Sequence, residues 1–173
     1  LMNPPIRYTE DKDSLWNRLK DGTIDCVVTD HAPHTLEAKS VGYPNAPAGM
    51  PGVETSLPVM LTHAMNGECS VSDVVKWMCA GPARVYGMQN KGSLIEGYDG
   101  DLTLVDLETR RTITDADVWT RVGWTPYAGM ELTGLPMWTV VDGIPVHKRI
   151  PGGSFRGESI GVPGCAGRAI KFD

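Results

Sequence analysis

The stretch Thr29-Asp30-His31-Ala32-Pro33-His34 decides how this sequence is interpreted. It directly follows the apolar run 24–28, which predicts a buried strand, and Pro33 prevents that strand from continuing. A strand that ends on a carboxylate and two imidazoles favours chemistry, because catalytic groups in α/β barrels lie at the carboxyl ends of the strands. The alternative is a plain strand-to-loop turn in which Asp30 caps the backbone. The second histidine and the proline favour the chemical interpretation.

The composition indicates a folded, acidic protein. Of the 173 residues, 41% are hydrophobic, which is enough for a packed core. The formal net charge of −5 argues against nucleic acid or an anionic membrane as the main partner. No window approaches the roughly 18 apolar residues that span a bilayer, and no signal-peptide pattern is found. The four cysteines form no Cys-x-x-Cys pair, so we expect reduced thiols in a soluble, cytoplasmic protein.

The first part of the sequence predicts one α-to-β step of an α/β fold. A short helix is predicted to begin at the N-cap candidates Asp13 and Ser14 and to end at Gly22. Its buried face would comprise Leu15, Trp16 and Leu19. The strand 24–29 follows, and after it comes the long loop 31–51. Loops of this length are typically lids or binding loops, and three prolines favour a lid over a disordered insertion.

Two further helices are predicted after the loop. The first would begin at Val53 and stop at Gly67, with Glu54 as a partner of the helix dipole rather than a catalytic acid. The second would begin near Ser72 and break at Gly81-Pro82, before a last short helix over 82–86. The buried stripe of the second helix would comprise Val71, Val74, Val75 and Met78.

From Gly92 onward the pattern is typical of β-structure joined by Gly and Pro turns. Residues 101–106 alternate like a half-buried strand, and 138–147 predict a hairpin with Asp142-Gly143 as its type I′ turn. We interpret this part as a small domain packed on the first. Three aromatic residues are expected to fill the contact between the two parts, or alternatively to form an aromatic substrate box: Trp119, Trp124 and Tyr127.

The histidines and carboxylates by themselves give only part of a metal centre. Zinc needs three or four ligands, and a two-metal hydrolase needs more. Besides the residues around Asp30, the chain offers only His63, on a predicted helix, and His147, in the predicted hairpin. No His-x-His pair occurs. These residues therefore predict a fraction of a hydrolytic metal centre.

Four segments match a known pattern: Asn-Pro-Pro-Ile-Arg (3–7), Asp-Gly-Thr-Ile-Asp (21–25), Thr-Asp-His-Ala-Pro-His-Thr (29–35) and Gly-Val-Glu-Thr (52–55). Together they resemble the carboxyl-terminal half of dihydroorotases of the longer, multifunctional type, within the amidohydrolase superfamily. The resemblance continues through 90–97 and 124–127 as far as the hairpin. Asp-His-Ala-Pro-His is its most specific part, because hydantoinases and allantoinases usually carry other residues after Asp-His.

The resemblance implies an α/β fold: the carboxyl-terminal portion of a (β/α)₈ barrel over 1–87 and a small β-rich domain over 88–150. A coil-like tail over 151–173 would follow. It also implies a bound pair of zinc ions and the reversible conversion of N-carbamoyl-L-aspartate into L-dihydroorotate in pyrimidine biosynthesis. In the family, the metal ligands other than the aspartate lie upstream of the point where this chain starts. We therefore expect a fragment that on its own binds zinc weakly and has no turnover.

The resemblance also implies roles for five residues. Asp30 matches the aspartate that ligates one zinc and serves as the acid/base. Asn3 and His34 match substrate-binding positions, and Ala48 and Gly49 fall where the family's backbone meets the substrate. Relatives often carry a bulkier residue at position 48.

Other functions stay open at this point. A dihydropyrimidinase or an allantoinase would use Asp30 in the same way. A non-catalytic dihydroorotase-like subunit would scaffold aspartate transcarbamoylase, and a self-standing β-rich binding module over 53–173 would leave Asp30 unexplained. The partners that follow are a small-molecule substrate, a second copy of the chain in a homodimer, or aspartate transcarbamoylase.

Overall fold

The computed structural model describes residues 1–5, 8–150, 152–153, 155–161, 167 and 169–171. Helices occupy the first half of this part: α1 (Thr9–Lys20), α2 (Leu36–Ser40), α3 (Ser56–Met65), α4 (Val71–Val75), a π-helical turn (Lys76–Ala80) and α5 (Gly81–Val85). An antiparallel sheet occupies the second half: β1 (Leu102–Thr112), β2 (Glu131–Val141), β3 (Ile144–Lys148) and β4 (Glu158–Ser159). Between β1 and β2 lies a 3₁₀ turn, Asp115–Asp117. No helix in these ranges is long and apolar enough to cross a bilayer.

Helix α1 begins at Thr9, earlier than the caps that the sequence predicts. Glu10 and Asp11 lie in its first turn, where carboxylates interact favourably with the helix dipole. Leu19 is buried as expected, whereas Leu15 is 59% exposed and its predicted burial is wrong. The reason is that α1 is covered along one narrow stripe, and Leu15 lies outside that stripe.

The predicted strand 24–29 has no regular secondary structure and belongs to no sheet within the described ranges. Its backbone is attached to the helical layer instead, since the Val27 N–H donates to the Trp77 carbonyl at 2.9 Å. A strand is defined by the hydrogen bonds to its neighbour. The strand assignment is therefore wrong for this segment.

The helix after Gly67 does not break at Gly81-Pro82, as the sequence predicts. Helix α4, the π-helical turn and α5 follow one another without interruption, and the Gly81 N–H donates to the Lys76 carbonyl. The π turn changes the helical phase, so Trp77 is buried and Val75 is 50% exposed, contrary to the predicted stripe. Gly81 is needed here because a Cβ would lie 2.6 Å from the Asp25 carbonyl oxygen.

Helix α3 packs on strand β2. It begins at Ser56 rather than at Val53, which is exposed. The Thr62 hydroxyl accepts a hydrogen bond from the Thr133 N–H at 2.9 Å and donates to the Pro58 carbonyl at 2.7 Å. Gly134 has φ +88°, and a Cβ there would lie 2.8 Å from the Leu61 Cβ. The helix and the sheet are therefore in direct contact.

The sheet has the strand order β1-β2-β3-β4, and each pairing is antiparallel. The predicted strand 101–106 is confirmed as a strand, since 102–106 form the first part of β1. Its predicted half-buried alternation is wrong, because 102–105 are all exposed. The predicted hairpin is also confirmed: Val141 pairs with Ile144, and Asp142 and Gly143 have φ of +52° and +77°. Two positive φ values are the mark of a type I′ turn.

Two hydrophobic clusters stabilise the fold. The first lies among the helices and comprises Leu19, Met60, Leu61, Ala64, Val74 and Trp77. The second lies against the sheet and comprises Ile113, Val118, Leu132, Leu135 and Phe155. Phe155 is only 2% exposed although it falls in the expected coil-like tail. The division at 87/88 and 150/151 stays a prediction. Cys26, Cys69 and Cys79 are free thiols, and Cys165 lies outside the described residues.

Candidate functional site

Asp30 directly follows the segment 24–29 and has an unusual backbone conformation. Its φ is +41°, in the left-handed region that a non-glycine residue rarely adopts and that Asp tolerates better than most. Its side chain is exposed, and within the described part of the chain no hydrogen bond or ion pair involves its carboxylate. The fold therefore presents this carboxylate to solvent in a conformation that carries some strain.

His31 closes the loop that begins at Asp30. Its Nδ1 accepts hydrogen bonds from the backbone N–H groups of Gly52 and Val53, at 3.1 and 3.3 Å. The Ala32 N–H also donates to the Met50 carbonyl at 3.1 Å. The end of the loop 31–51 is thus fixed against its beginning. Because an accepting nitrogen carries no proton, a neutral His31 ring has its proton on Nε2.

His34, Ala48 and Gly49 are brought together. The His34 Nε2 lies 3.0 Å from the Ala48 carbonyl oxygen. A carbonyl only accepts, so this nitrogen is the protonated one. Gly49 has φ +122°, and a Cβ there would lie 2.7 Å from the Ala32 Cβ and 3.5 Å from the His34 Cδ2. Only glycine allows this close approach.

The segment that carries Asn3 lies against the same loop. The Gly49 N–H donates to the Leu1 carbonyl at 3.2 Å. Asn3 itself is exposed, and no hydrogen bond of its side chain is described. Three of the five predicted site residues, His34, Ala48 and Gly49, therefore lie together. Asn3 is two residues from Leu1, which bonds to Gly49. Asp30 precedes His34 by four residues and makes no described contact with that group.

Lys39, on α2, connects these segments, and the sequence did not single it out. Its Nζ donates to three carbonyls: Leu1 at 3.0 Å, Pro47 at 2.9 Å and Gly49 at 2.9 Å. The three partners are 38, 8 and 10 residues away from Lys39 in the sequence. No sequence motif has this spacing, so the role of Lys39 could not be predicted.

Glu54 has a different role from the one predicted. Helix α3 begins after it, and its two carboxylate oxygens accept hydrogen bonds from the Trp119 and Thr120 N–H groups, both at 2.7 Å. The helix-dipole interpretation is therefore wrong, because the partner of Glu54 is a distant backbone segment. This residue fastens the segment 118–120 beside the loop that holds His31.

The three aromatic residues behave differently from one another. Trp124 joins the two parts as expected, since its Nε1–H donates to the His34 carbonyl at 2.8 Å. Tyr127 packs against the second cluster. Trp119 is 52% exposed and does not fill the contact; the Arg156 guanidinium lies 4.8 Å from its ring centroid. The predicted placement is thus wrong for Trp119, because Glu54 holds its backbone at the surface.

An open cleft of about 460 Å³ lies beside this arrangement. Its walls include His31, Pro33, Glu54, Trp119, Thr120 and Arg121. The volume is sufficient for a small molecule. His31, the residue after Asp30, lines this cleft, whereas Asp30 is not among its lining residues.

The remaining histidines do not join the site. The His63 Nδ1 lies 3.0 Å from a Glu68 carboxylate oxygen, and this contact lowers the pKa of Glu68. The ring of His63 also meets Trp16 edge-on. Burial, together with the nearby Arg149 charge, lowers the pKa of His147 in strand β3. His63 thus has its described partners within the helical half of the chain.

The described residues do not form a complete metal site. They contain no group of three His, Cys, Asp or Glu side chains that could hold a metal ion. Zinc requires three or four ligands, and a carboxylate oxygen is an acceptable one. Asp30 therefore fits as a single ligand, and the rest of a metal site would need residues from outside the described part of the chain.

The sequence of this chain is similar to that of known hydrolases. Residues 7–144 match the amidohydrolase family. The dihydroorotase of Halobacterium salinarum is 41% identical over 159 residues, which are 92% of this chain and 37% of that protein. The dihydroorotase of Shouchella clausii is 40% identical over 149 residues, 86% of this chain and 35% of that protein. The chain thus spans about a third of the length of the curated relatives it matches.

Solved structures of two related enzymes superpose well on this chain. An L-hydantoinase (dihydropyrimidinase) from Arthrobacter aurescens has a TM-score of 0.81 and 35% identity, covering 92% of this chain and 35% of that one. A dihydropyrimidinase from Brevibacillus agri NCHU1002 also has a TM-score of 0.81, with 27% identity, covering 84% of this chain and 33% of that one.

Proposed function

Because the chain belongs to the amidohydrolase family, we propose that it forms one wall of the active site of a hydrolase acting on cyclic amides. The substrate pair in this proposal is L-dihydroorotate and N-carbamoyl-L-aspartate, in cytoplasmic pyrimidine biosynthesis. The similarity to proteins named dihydroorotase over most of this chain supports that choice over other cyclic amides. The pattern Asp-His-Ala-Pro-His supports it further.

The observation that carries the proposal is the presentation of Asp30. Its carboxylate is exposed at a left-handed turn and has no partner among the described residues. A structural aspartate in that conformation would normally bind its own backbone as a cap. A strained, unengaged carboxylate is instead typical of a functional group.

In ring opening, Asp30 takes a proton from the attacking water as the water oxygen bonds to the ring carbonyl carbon. When the carbon–nitrogen bond breaks, Asp30 delivers that proton to the departing amide nitrogen. The reverse sequence closes the ring. One carboxylate can serve both steps because it is a base before the first transfer and an acid before the second.

The other predicted site residues would bind the substrate. The backbone of Ala48 and Gly49 and the ring of His34 already lie together, which supports a common binding surface. Since the His34 Nε2 proton points to the Ala48 carbonyl, the ring must release that bond or use Nδ1 to meet a substrate group. Asn3 lies on a segment in contact with the same loop and has amide groups suited to a carboxylate.

The family implies a metal, and we propose zinc, with two ions in a complete site. Among the described residues we propose Asp30 as a ligand. These residues form no group of three metal-binding side chains, so the other ligands would come from outside the described part. A bound zinc would make a water molecule more acidic. No step above is assigned to it, because the described residues do not form its site.

The test uses the whole protein as its gene encodes it. We expect turnover of L-dihydroorotate in clear preference to dihydrouracil. Asp30→Asn should reduce kcat by roughly 10²–10⁴-fold because the amide accepts no proton, whereas Asp11→Asn on α1 should change little. His34→Ala should mainly raise KM. Near-normal kcat in Asp30→Asn would refute the assigned role.

A second candidate is a hydantoinase or dihydropyrimidinase, which the similarity to the Arthrobacter and Brevibacillus structures favours. Preference for dihydrouracil or hydantoin over dihydroorotate would select it. A non-catalytic subunit that scaffolds aspartate transcarbamoylase would bind no zinc and would co-purify with that enzyme. Two zinc ions per chain would exclude the scaffold.

A further inference from the structure

We propose that Lys39 is a positioning residue, which orders the segment 47–49 so that its backbone faces His34. This inference rests on the proposed function, because it concerns the surface on which the substrate would bind. It starts from the three hydrogen bonds of one ammonium group, which connect segments that are distant in the sequence.

Each N–H donor of the Lys39 ammonium has a hydrogen-bond acceptor. A lysine has three N–H donors, and the three acceptors are carbonyl oxygens at 2.9 to 3.0 Å. No carboxylate is among the hydrogen-bond partners described for Lys39. The side chain therefore acts on backbone conformation rather than as a member of an ion pair.

The bonded carbonyls lie on both sides of Ala48. Lys39 binds the Pro47 and Gly49 carbonyls, whereas the Ala48 carbonyl between them meets the His34 Nε2 at 3.0 Å. With both flanking carbonyls fixed, the peptide at position 48 is held in the orientation that contacts His34. Gly49 most needs this support, because glycine loses more backbone freedom on ordering than any other residue.

The lysine is itself fixed relative to His34. Thr35, the next residue, is the N-cap of α2, and its hydroxyl accepts from the Ala38 N–H at 3.2 Å. The Lys39 N–H donates to the Thr35 carbonyl at 3.0 Å. The first turn of α2 therefore sets the distance between the His34 imidazole and the Lys39 ammonium. Both groups form hydrogen bonds to the backbone of the segment 47–49.

The first experiment measures backbone amide exchange in the 173-residue chain and in the whole protein. Lys39→Met keeps the length of the side chain and removes all three donors. We expect exchange at the Gly49 amide to accelerate by at least about tenfold, since losing even one charge-assisted hydrogen bond exceeds a factor of ten. Lys12→Met, on the exposed surface of α1, is the matched control and should leave Gly49 unchanged.

The second experiment measures turnover of L-dihydroorotate. We expect Lys39→Met to raise KM by about tenfold with kcat within a few-fold of the parent, because the binding surface is loosened and Asp30 is untouched. Lys39→Cys should show the same defect, and alkylation with 2-bromoethylamine should restore both KM and Gly49 protection by rebuilding the ammonium. The parent treated in the same way controls for the other cysteines.

Unchanged exchange at Gly49 in Lys39→Met would overturn the proposal, and so would a loss of kcat without a rise in KM. If Lys39→Met does not fold, Lys39→Arg replaces it, and failure of this cationic variant to protect Gly49 better than Lys39→Cys would likewise overturn it. A parent protein with no turnover would refute the proposed function instead, and the exchange result would still decide what Lys39 does.

Discussion

Replacing Glu54 by Gln tests the link between the site loop and the segment 118–120. Glu54 holds two backbone N–H groups, one on each carboxylate oxygen, at 2.7 Å. Glutamine keeps the size of the side chain but has one acceptor oxygen, and its NH₂ group would face one of the two donors. One hydrogen bond is therefore lost, and the acceptor of the remaining hydrogen bond is neutral instead of charged.

The size of the effect follows from the exposure of the two donors. An unsatisfied buried donor costs about 1–3 kcal/mol, and a charge-assisted bond is roughly twice as strong as a neutral one. Trp119 is exposed, so water can satisfy its N–H, whereas Thr120 is half-buried. We therefore expect the free energy of unfolding to fall by about 1–2 kcal/mol, toward the lower end of those ranges.

Urea unfolding followed by tryptophan fluorescence measures this difference. Glu96→Gln removes the same charge from an exposed loop and is the matched control. Amide exchange at Trp119 and Thr120 should accelerate in Glu54→Gln and not in Glu96→Gln. Equal unfolding free energies for the two variants would show that the carboxylate of Glu54 does not fasten this segment.

Three other expectations concern stability. Gly134→Ala should cost more than about 2 kcal/mol, because it adds a clash with Leu61 to a left-handed backbone, whereas Gly123→Ala meets no atom within 4 Å and should cost only about 1 kcal/mol in thermal denaturation. Asp30→Gly should raise the unfolding free energy by up to about 1 kcal/mol by relieving the backbone, and a loss of stability would contradict the strain assigned there. Hydrogen bonds to Asp101 and Asp99 raise the pKa of Lys91. The protonated Lys91 therefore contributes fully to the free energy of unfolding below the unfolded-state pKa of about 10.4, and this contribution is lost as pH rises through the pKa of the folded state. Urea titrations at rising alkaline pH should show that loss in the parent and not in Lys91→Met.

The sequence was most informative where structure depends on neighbours in the chain. The hairpin turn at Asp142-Gly143 was predictable because two residues that tolerate positive φ determine the turn by themselves. The break at Gly81-Pro82 was predicted wrongly for the complementary reason. Contact of Gly81 with the Asp25 carbonyl and a π-helical turn keep the helix continuous, and neither is visible in local propensity.

The candidate site shows the same division. Asp30 and His34 stand in a distinctive pattern, so their residue types and spacing indicated chemistry. The roles of Lys39 and Glu54 could not be predicted from the sequence. The nearest partner of the Lys39 ammonium is 8 residues away in sequence, and the partners of the Glu54 carboxylate are 65 and 66 residues away. Lysine and glutamate are common surface residues, and only the folded chain shows that their charged groups bind backbone.

The hydrogen bond from Trp124 to the His34 carbonyl has a consequence for protein engineering. It means that the loop carrying the imidazole is anchored partly by a residue of the β-rich half. A chimera joined near residue 87 that takes its β-rich half from another hydrolase would keep His34 but exchange the indole that fixes its backbone. Grafts in this fold should therefore transfer 118–125 together with 31–54, as one recombination unit.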